Sequence, residues 1–142
     1  MRLFLDANVL FSAAHSPGGR ALGLFRLADI GRCTLVGSKH VVEEARRNLT
    51  VKSADRLDDF SHLLELLETV PEAPPKLVTW AARNGLPAND APVLAAAVVS
   101  EADLLVTGDR THFGHLYGQE IGGGTVISPG EALGRLLDAD GA

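Results

Sequence analysis

The sequence predicts an α/β sandwich built around a parallel β-sheet. Arg2–Leu5 and Leu104–Val106 are short apolar segments, each followed by a polar break, as expected of strands buried on both faces of such a sheet. Stretches with apolar residues at helical spacing separate the predicted strands, and this alternation favours parallel strands joined by helices. With 142 residues, of which 46% are hydrophobic, the chain is expected to form a single domain over residues 1–142.

The first half of the chain is predicted to alternate between strands and helices. After the first strand, a helix capped by Ser16 is predicted to continue until Gly31 stops it. Thr34–Val36 is the second predicted strand, and a helix capped by Ser38 follows it to about Leu49. Apolar residues then recur along one predicted amphipathic helix, at Leu57, Phe60, Leu63, Leu64, Leu67 and Val70.

The second half continues the same alternation. Three prolines end the long helix, and a short helix is predicted over Lys76–Arg83. Asn89 opens a helix whose body is almost purely Ala and Val, which suits close packing against a sheet. The glycines at 122–124 are interpreted as a loop before the strand Thr125–Ile127, and Pro129–Leu137 is the last predicted helix.

Composition disfavours several classes of protein. A net charge of −5 argues against a protein that coats DNA, although an acidic metal pocket in a nucleic-acid enzyme would also lower the total. The single cysteine, Cys33, cannot form an internal disulfide, which favours a reducing compartment. Asp6 and Asn8 interrupt the apolar N-terminus, so we expect no signal peptide. Because the sequence has no run of ~18 apolar residues, we also expect no membrane span. The expected location is the cytoplasm.

Two aspartates follow predicted strands. Asp6 ends the first strand, and Asp109 lies just past Leu104–Val106. Because ligands of open α/β sheets bind beyond the carboxyl ends of the strands, both side chains are expected at the same rim. Two carboxylates there repel each other unless positive charge lies between them.

Two further acids are expected near helix starts or helix flanks. Asp90 lies in the first turn of its predicted helix, where capping, shared with Asn89, is the alternative explanation. Of the adjacent pair Glu43 and Glu44, the first lies near the centre of the polar helix face and the second on the flank of the apolar stripe. Glu44 is therefore the better site candidate. Oxygen ligands without cysteine or paired histidine favour Mg²⁺ or Mn²⁺ over zinc.

Four stretches of the chain carry a family resemblance: LFLDANVLFSA, SKHVVEEARRNL, NDAPVLAAAVVSEADLLVTGD and TVISPGEAL. In this order and spacing they resemble the PIN-domain ribonucleases, and more closely the bacterial PIN toxins of toxin–antitoxin modules. The resemblance implies a three-layer α/β/α sandwich. It also implies that Asp6, Glu44, Asp90 and Asp109 hold one or two Mg²⁺ or Mn²⁺ ions and that the chain hydrolyses RNA phosphodiester bonds.

The resemblance also implies supporting residues and partners. Asn8 and Thr107 are expected to assist the acids from the second coordination shell. Ser12 occupies a position where the family has a small hydroxyl residue, although a serine at a helix start explains it equally well. An antitoxin protein and a second copy of the chain are the implied partners, because helices early in the chain form such contacts in relatives.

Basic residues near the acids are expected to contact the RNA backbone, the alternative being solvated helix faces. The residues concerned are Lys39, Arg46, Arg47, Lys52, Arg56 and Arg110. His112 and His115 follow Asp109 and are interpreted as proton donors or as ordinary surface residues.

Two other functions compete with the nuclease. A phosphatase of the haloacid dehalogenase type also begins with a strand that ends in Asp and uses Mg²⁺, but it needs a second acid two residues later, where Asn8 stands here. An RNA-binding or partner-binding module with an unused acidic pocket is the non-enzymatic alternative.

Overall fold

The structure is a computed structural model that describes residues 1–141 of the backbone, with side chains as far as Asp138. Within that range, six strands form one sheet and helices cover both of its faces. The strands are β1 (Arg2–Leu5), β2 (Thr34–Ser38), β3 (Leu67–Val70), β4 (Leu104–Val106), β5 (Glu120–Ile121) and β6 (Gly124–Ile127). The helices are α1 (Ala7–His15), α2 (Arg20–Asp29), α3 (Lys39–Lys52), α4 (Leu57–Leu64), α5 (Pro75–Ala82), α6 (Ala91–Val99), α7 (Arg110–Phe113) and α8 (Pro129–Gly141).

The sheet is parallel except at one edge. Its strand order is β3-β2-β1-β4-β6-β5, and β5 runs antiparallel to its neighbour β6. Helices α1 to α4 and α8 pack together on one face of the sheet, and α5 and α6 pack together on the other. The structure therefore confirms the predicted three-layer α/β/α sandwich. Among the described helices, none is both long and apolar enough to cross a lipid bilayer.

Strand β1 is central to the sheet because it pairs with β2 on one side and with β4 on the other. Its residues Leu3, Phe4 and Leu5 are completely buried, as expected of a strand covered on both faces. From β1 the chain moves outward through β2 to β3 on one side, and on the other side of β1 the sheet continues through β4 and β6 to the edge strand β5. The carboxyl ends of β1 and β4 therefore border the switch point where such sheets bind ligands.

The structure corrects the prediction for residues 7–19. A nine-residue helix, α1, begins directly after β1, whereas the sequence analysis assigned no helix there. Ser16 ends α1 and does not open α2, whose N-cap position is occupied by Gly19. The helix was missed because no loop separates it from the strand, so that the apolar residues of both elements form one continuous stretch. Ser38 does precede α3, but its side chain makes no capping hydrogen bond to a described residue.

The predicted helix from Leu57 to Val70 is also wrong in its second half. Helix α4 ends at Leu64, and Leu67–Val70 forms the edge strand β3, which pairs in parallel with β2. In β3 the two end residues are buried and the two central ones are exposed. Because a three-residue spacing of apolar residues also occurs in helices, the sequence pattern predicted a helix where the structure has a strand.

The glycine-rich segment before β6 makes a hairpin and is not simply a loop. Gly122 and Gly123 have φ angles of +62° and +97°, which non-glycine residues rarely adopt, and they connect β5 to β6. Gly124 is already part of β6. A two-residue strand such as β5 carries too little periodicity to be predicted from sequence.

Candidate functional site

Four acidic residues that are distant in sequence line one cleft at the carboxyl rim of the sheet. Asp6 follows β1, Asp109 follows β4, Glu44 lies on α3 and Asp90 precedes α6. The cleft has a volume of about 330 Å³. The topology brings these acids together. Strands β1 and β4 are neighbours, so Asp6 and Asp109 share one rim of the sheet. Helix α3 begins at this rim after β2, and the chain that follows β3 returns to it at the start of α6.

Asp6 is a buried carboxylate, with only 4% of its surface exposed. Its backbone N–H extends the sheet by donating to the carbonyl of Val106, at 3.0 Å. Its Oδ1 accepts from the N–H of Ala7 at 2.7 Å and so caps α1. Its Oδ2 accepts from the hydroxyl of Thr107 at 2.9 Å and from Nδ2 of Asn8 at 3.2 Å. These hydrogen bonds make an aspartate tolerable at the edge of the core.

The pKa of Asp6 shows that its hydrogen bonds do not fully compensate its charge. Burial raises the pKa from 3.8 to about 6, against the lowering effect of the hydrogen bonds from Thr107 and Ala7. The negative charges of Asp90 and Glu44 raise it further. Ionised Asp6 therefore lies in a place where additional positive charge is favourable.

Asp90 occupies the N-cap position of α6, yet its side chain makes no capping hydrogen bond there. Its Oδ2 instead lies 2.9 Å from Nδ1 of His112. Burial raises its pKa, His112 lowers it, and the carboxylates of Asp109 and Glu44 raise it again. The capping alternative for Asp90 does not match this geometry, because the carboxylate is directed at other charged groups in the cleft.

Asp109 and His112 form the opposite wall of the cleft. Oδ1 of Asp109 accepts from the backbone N–H of His112 at 3.0 Å, and its Oδ2 lies 2.8 Å from Nδ1 of the same residue. The His112 ring thus stands between two carboxylates, and one ligand atom each from Asp90, Asp109 and His112 lie within 4.8 Å of one another. The sequence predicts His112 as a proton donor or a surface residue and does not predict this contact, although the spacing of three residues from Asp109 is visible in it.

The structure separates the adjacent glutamates of α3. Glu44 lines the cleft, where its Oε1 accepts from Nδ2 of Asn89 at 3.2 Å. Glu43 lies outside the cleft lining, and its Oε1 is 3.8 Å from Nζ of Lys39. The position of Glu44 matches the expectation from helix geometry.

Asn8 and Thr107 connect the two strand ends through their side chains. Asn8 donates to Asp6 and accepts from the N–H of Gly108 at 2.7 Å. The Thr107 hydroxyl donates to Asp6 and accepts from the N–H of Asp109 at 3.1 Å. Both residues therefore position acids and do not themselves need to touch a ligand. Ser12 lies on a neighbouring pocket and not on this cleft.

Replacing Thr107 by valine is expected to lower the free energy of unfolding by about 2 kcal/mol, because two buried hydrogen bonds lose their partner. The measurement is urea unfolding of the metal-free protein. Thr69→Val is the matched control, since Thr69 is exposed on the edge strand β3. Loss of the Thr69 hydroxyl is expected to change the free energy of unfolding by less than about 0.5 kcal/mol. Equal effects of the two substitutions would contradict the positioning role of Thr107.

The structure places the six basic residues in different surroundings. Lys52 lines the cleft, with its Nζ 5.5 Å from the ring centre of Phe11. Arg110 lines the pocket on the other side of the loop that carries Asp109. The remaining four lie outside both linings: Lys39 contacts Glu43, Arg46 lies over the Phe60 ring, Arg56 pairs with Asp59, and Arg47 is exposed on α3. Contact of these four with RNA stays a prediction.

The donor set of the cleft is suited to a divalent cation. It consists of carboxylate oxygens from four segments with one imidazole beside them, and it contains no thiolate. Oxygen-rich sites of this kind favour hard cations. The raised pKa of Asp6 and of Asp90 also indicates that the cluster lacks compensating positive charge. The fold and the cleft together define an α/β protein with an acidic, cation-compatible site at the carboxyl rim of its sheet.

Comparison with known protein families identifies this class. Residues 2–111 match the family described as the PIN domain, and this region includes all four acids of the cleft. The chain belongs to the PIN domain family. PIN domains are generally nucleases, and this membership favours the nuclease over the phosphatase interpretation. No curated protein matches the sequence.

Several solved structures share the fold. PAE2754 from Pyrobaculum aerophilum is 20% identical with a TM-score of 0.70, over 97% of this chain and 90% of that chain. VapBC2 from Rickettsia felis, bound to a DNA fragment from their promoter, is 19% identical with a TM-score of 0.66, over 90% of this chain and 98% of that chain. FitAcB from Neisseria gonorrhoeae is 18% identical with a TM-score of 0.59, over 89% of this chain and 97% of that chain.

Proposed function

We propose that this chain is a metal-dependent endoribonuclease and the toxin component of a toxin–antitoxin module. The observation that supports this most is the convergence of Asp6, Glu44, Asp90 and Asp109 in one cleft of a PIN-domain protein. Under this proposal these four residues bind Mg²⁺ or Mn²⁺. Asn8 and Thr107 hold Asp6, and Thr107 also holds the backbone of Asp109.

The cleft residues have separate tasks in the proposed reaction. A divalent cation, when bound, lowers the pKa of water toward neutrality and offsets the charge of the phosphate oxygens. Thr107 and Asn8 keep the Asp6 carboxylate in one orientation, so that little reorganisation is needed when charge develops nearby. Nδ1 of His112 lies 2.9 Å from Asp90 and 2.8 Å from Asp109 and so holds these two carboxylates beside each other. Lys52 places a positive charge on the cleft wall, where it can attract the backbone of RNA.

The proposed partners follow from the family resemblance and from the similarity to VapBC2 and FitAcB. An antitoxin protein binds the chain and restrains it, and a second copy completes a homodimer through the early helices. The location is the cytoplasm, where RNA is available.

The proposed activity is tested by incubating the purified chain with structured and unstructured RNA in Mg²⁺ or Mn²⁺, and again in chelator. We expect cleavage that requires the metal. Absence of metal-dependent cleavage across many RNAs would favour the alternative of a non-catalytic binding module.

The pair Glu44→Gln and Glu43→Gln provides a matched test of the site, because both substitutions remove one carboxylate from α3. Glu44→Gln is expected to lower kcat/KM by at least about 100-fold, since it removes a charge from the cleft. Glu43→Gln is expected to change kcat/KM by less than about threefold, since Glu43 lies outside the cleft lining. Loss of activity in both variants, or in neither, would contradict the assignment of Glu44.

The structure also argues against the phosphatase alternative. Both oxygens of Asp6 already accept hydrogen bonds and the residue is almost completely buried, which is unfavourable for a nucleophile. Residue 8 supplies an amide that holds Gly108, where the phosphatase needs an acid. A phosphorylated Asp6 trapped with beryllofluoride would overturn this argument.

A further inference from the structure

A second pocket adjoins the acidic cleft. It has a volume of about 370 Å³ and is separated from the cleft by helix α1 and by the loop that follows β4. Gly108 and Arg110 face this pocket, whereas Asp109 between them faces the cleft. On α1, Phe11 lines the cleft and Ser12 lines the pocket. A strand that lies across the cleft therefore reaches the pocket by passing over a single short loop.

The pocket is lined by two arginines, Arg20 and Arg110. Within residues 1–138, whose side chains the structure describes, neither guanidinium forms an ion pair. The hydroxyl groups of Ser12, Ser16 and Ser128 line the pocket as well, whereas the hydroxyl of Tyr117, which also lines it, already donates to the carbonyl of Thr107 at 2.6 Å. A pair of arginines without acidic partners, together with hydroxyl donors in a concave surface, has the chemistry of a phosphate site.

Arg20 lies against Gly130, which has no side chain to displace it. A Cβ atom added at Gly130 would lie 2.9 Å from Nη1 and 3.1 Å from Cδ of Arg20. The arginine therefore lies directly over the backbone of α8, at a distance that a larger residue would prevent. Arg20 is itself exposed, so the missing side chain at residue 130 leaves room for its guanidinium beside α8, and no carboxylate among the described residues uses its hydrogen-bond donors.

Two helices begin at the pocket and add to its positive character. Helix α2 starts at Arg20, and its N-cap residue Gly19 provides no side chain to satisfy the first N–H groups. Helix α8 starts at Pro129, and there Ser128 accepts from the N–H of Glu131 at 3.2 Å. The positive ends of both helices support anion binding, which Glu131 in the first turn of α8 partly offsets.

We propose that this pocket binds a backbone phosphate of the substrate strand, next to the phosphate that lies in the acidic cleft. The inference rests on the proposed nuclease function and extends it by a subsite. An RNA strand is the favoured occupant over an acidic segment of a protein partner, because the pocket borders the cleft directly, where Asn8 of the cleft accepts from the N–H of Gly108 of the pocket at 2.7 Å. The acidic cleft repels phosphates wherever a bound metal ion does not neutralise its carboxylates. The positive charge of Arg20 and Arg110 in the adjoining pocket offsets this repulsion.

The first test measures RNA binding by fluorescence anisotropy in an Asp90→Asn background, together with kcat/KM in the otherwise unchanged chain. Arg20→Ala is expected to raise Kd and lower kcat/KM by about tenfold, and to reduce the slope of log Kd against log salt by about 0.7. Gly130→Ala keeps the charge but displaces the guanidinium, and a smaller loss in the same direction is expected. Arg26→Ala is the matched control, because Arg26 is exposed on the same helix outside the pocket and is expected to change neither quantity.

The second test locates the phosphate. Oligonucleotides with one neutral methylphosphonate linkage, moved stepwise along the strand, are expected to bind less tightly when the linkage is adjacent to the cleaved one. This loss is expected to disappear in Arg20→Ala, because the same contact is then already absent.

The outcomes distinguish this subsite from the proposed function itself. If the wild-type chain cleaves no RNA and Asp90→Asn binds none, the proposed function fails and the subsite with it. If RNA is bound and cleaved but Arg20→Ala equals Arg26→Ala, the subsite alone is overturned. If Arg20→Ala loses binding of poly-glutamate and not of RNA, the pocket binds protein carboxylates and the proposal is likewise overturned.

Discussion

Asp90→Asn is expected to reduce metal-dependent RNA cleavage by at least about 100-fold while the metal-free protein becomes more stable. The activity falls because one of the cleft carboxylates is lost. The stability rises because burial disfavours the ionised form of Asp90 and because Asp109 and Glu44 repel it, whereas an amide oxygen keeps a contact with Nδ1 of His112. A rise in Tm of a few degrees in chelator at pH 8 corresponds to about 1 kcal/mol. The measurements are cleavage rates in Mg²⁺ and thermal unfolding in chelator.

The opposite signs of these two effects distinguish a ligand from a structural residue. A residue needed only for folding would lose activity and stability together. Asp58→Asn is the control, because Asp58 is an exposed aspartate in the first turn of α4, and it is expected to leave cleavage unchanged and stability within about 0.5 kcal/mol. A lower Tm for Asp90→Asn in chelator would refute the crowding of negative charge in the cleft.

In chelator, the stability of the wild-type protein relative to Asp6→Asn is expected to fall by about 2.4 kcal/mol between pH 4 and pH 7. The cause is the pKa of Asp6, which burial raises from 3.8 in the unfolded chain to about 6 in the folded protein. Between these values the folded state holds a proton that the unfolded state has released. The stabilising contribution is therefore complete below 3.8 and is lost as the pH rises through 6.

The test is urea unfolding of both proteins across this pH range, because Asp6→Asn lacks the titrating group and the acids distant from residue 6 cancel in the difference. Addition of Mg²⁺ is expected to reduce the decline, since a cation in the cleft stabilises the ionised form of Asp6. Parallel pH profiles for the two proteins in chelator would show that Asp6 ionises as freely in the folded protein as in the unfolded chain.

The sequence was sufficient to predict the central strands and the acids at their ends. Strands β1 and β4 are buried on both faces, so an apolar run followed by an acid identifies each of them. Glu44 was distinguished from Glu43 because a 100° rotation along a helix decides which side chain reaches the interior. The edge strand β3 was predicted as helix because its two buried residues, Leu67 and Val70, are three positions apart and so continue the preceding helical repeat.

The parts of the site that were not predicted depend on contacts between distant segments. His112 reaches Asp90 because the loop after β4 folds against the start of α6, and no local pattern in the sequence encodes that approach. The pocket of Arg20 likewise requires α2, α8 and the loop after β4 to meet. The spacing of Asp109 and His112 is visible in the sequence, but only the fold shows that the carboxylate of Asp90 joins them.

The sheet order divides the acids equally between two parts of the chain. Asp6 and Glu44 precede β3, whereas Asp90 and Asp109 follow it, and the pairing of β1 with β4 joins the two sets. On the proposed function, a nascent chain still attached to the ribosome lacks Asp109, and so a complete cluster, until β4 has emerged and inserted beside β1. Under that proposal, a chain that ends before β4 has no complete acidic cleft and is expected to cleave no RNA.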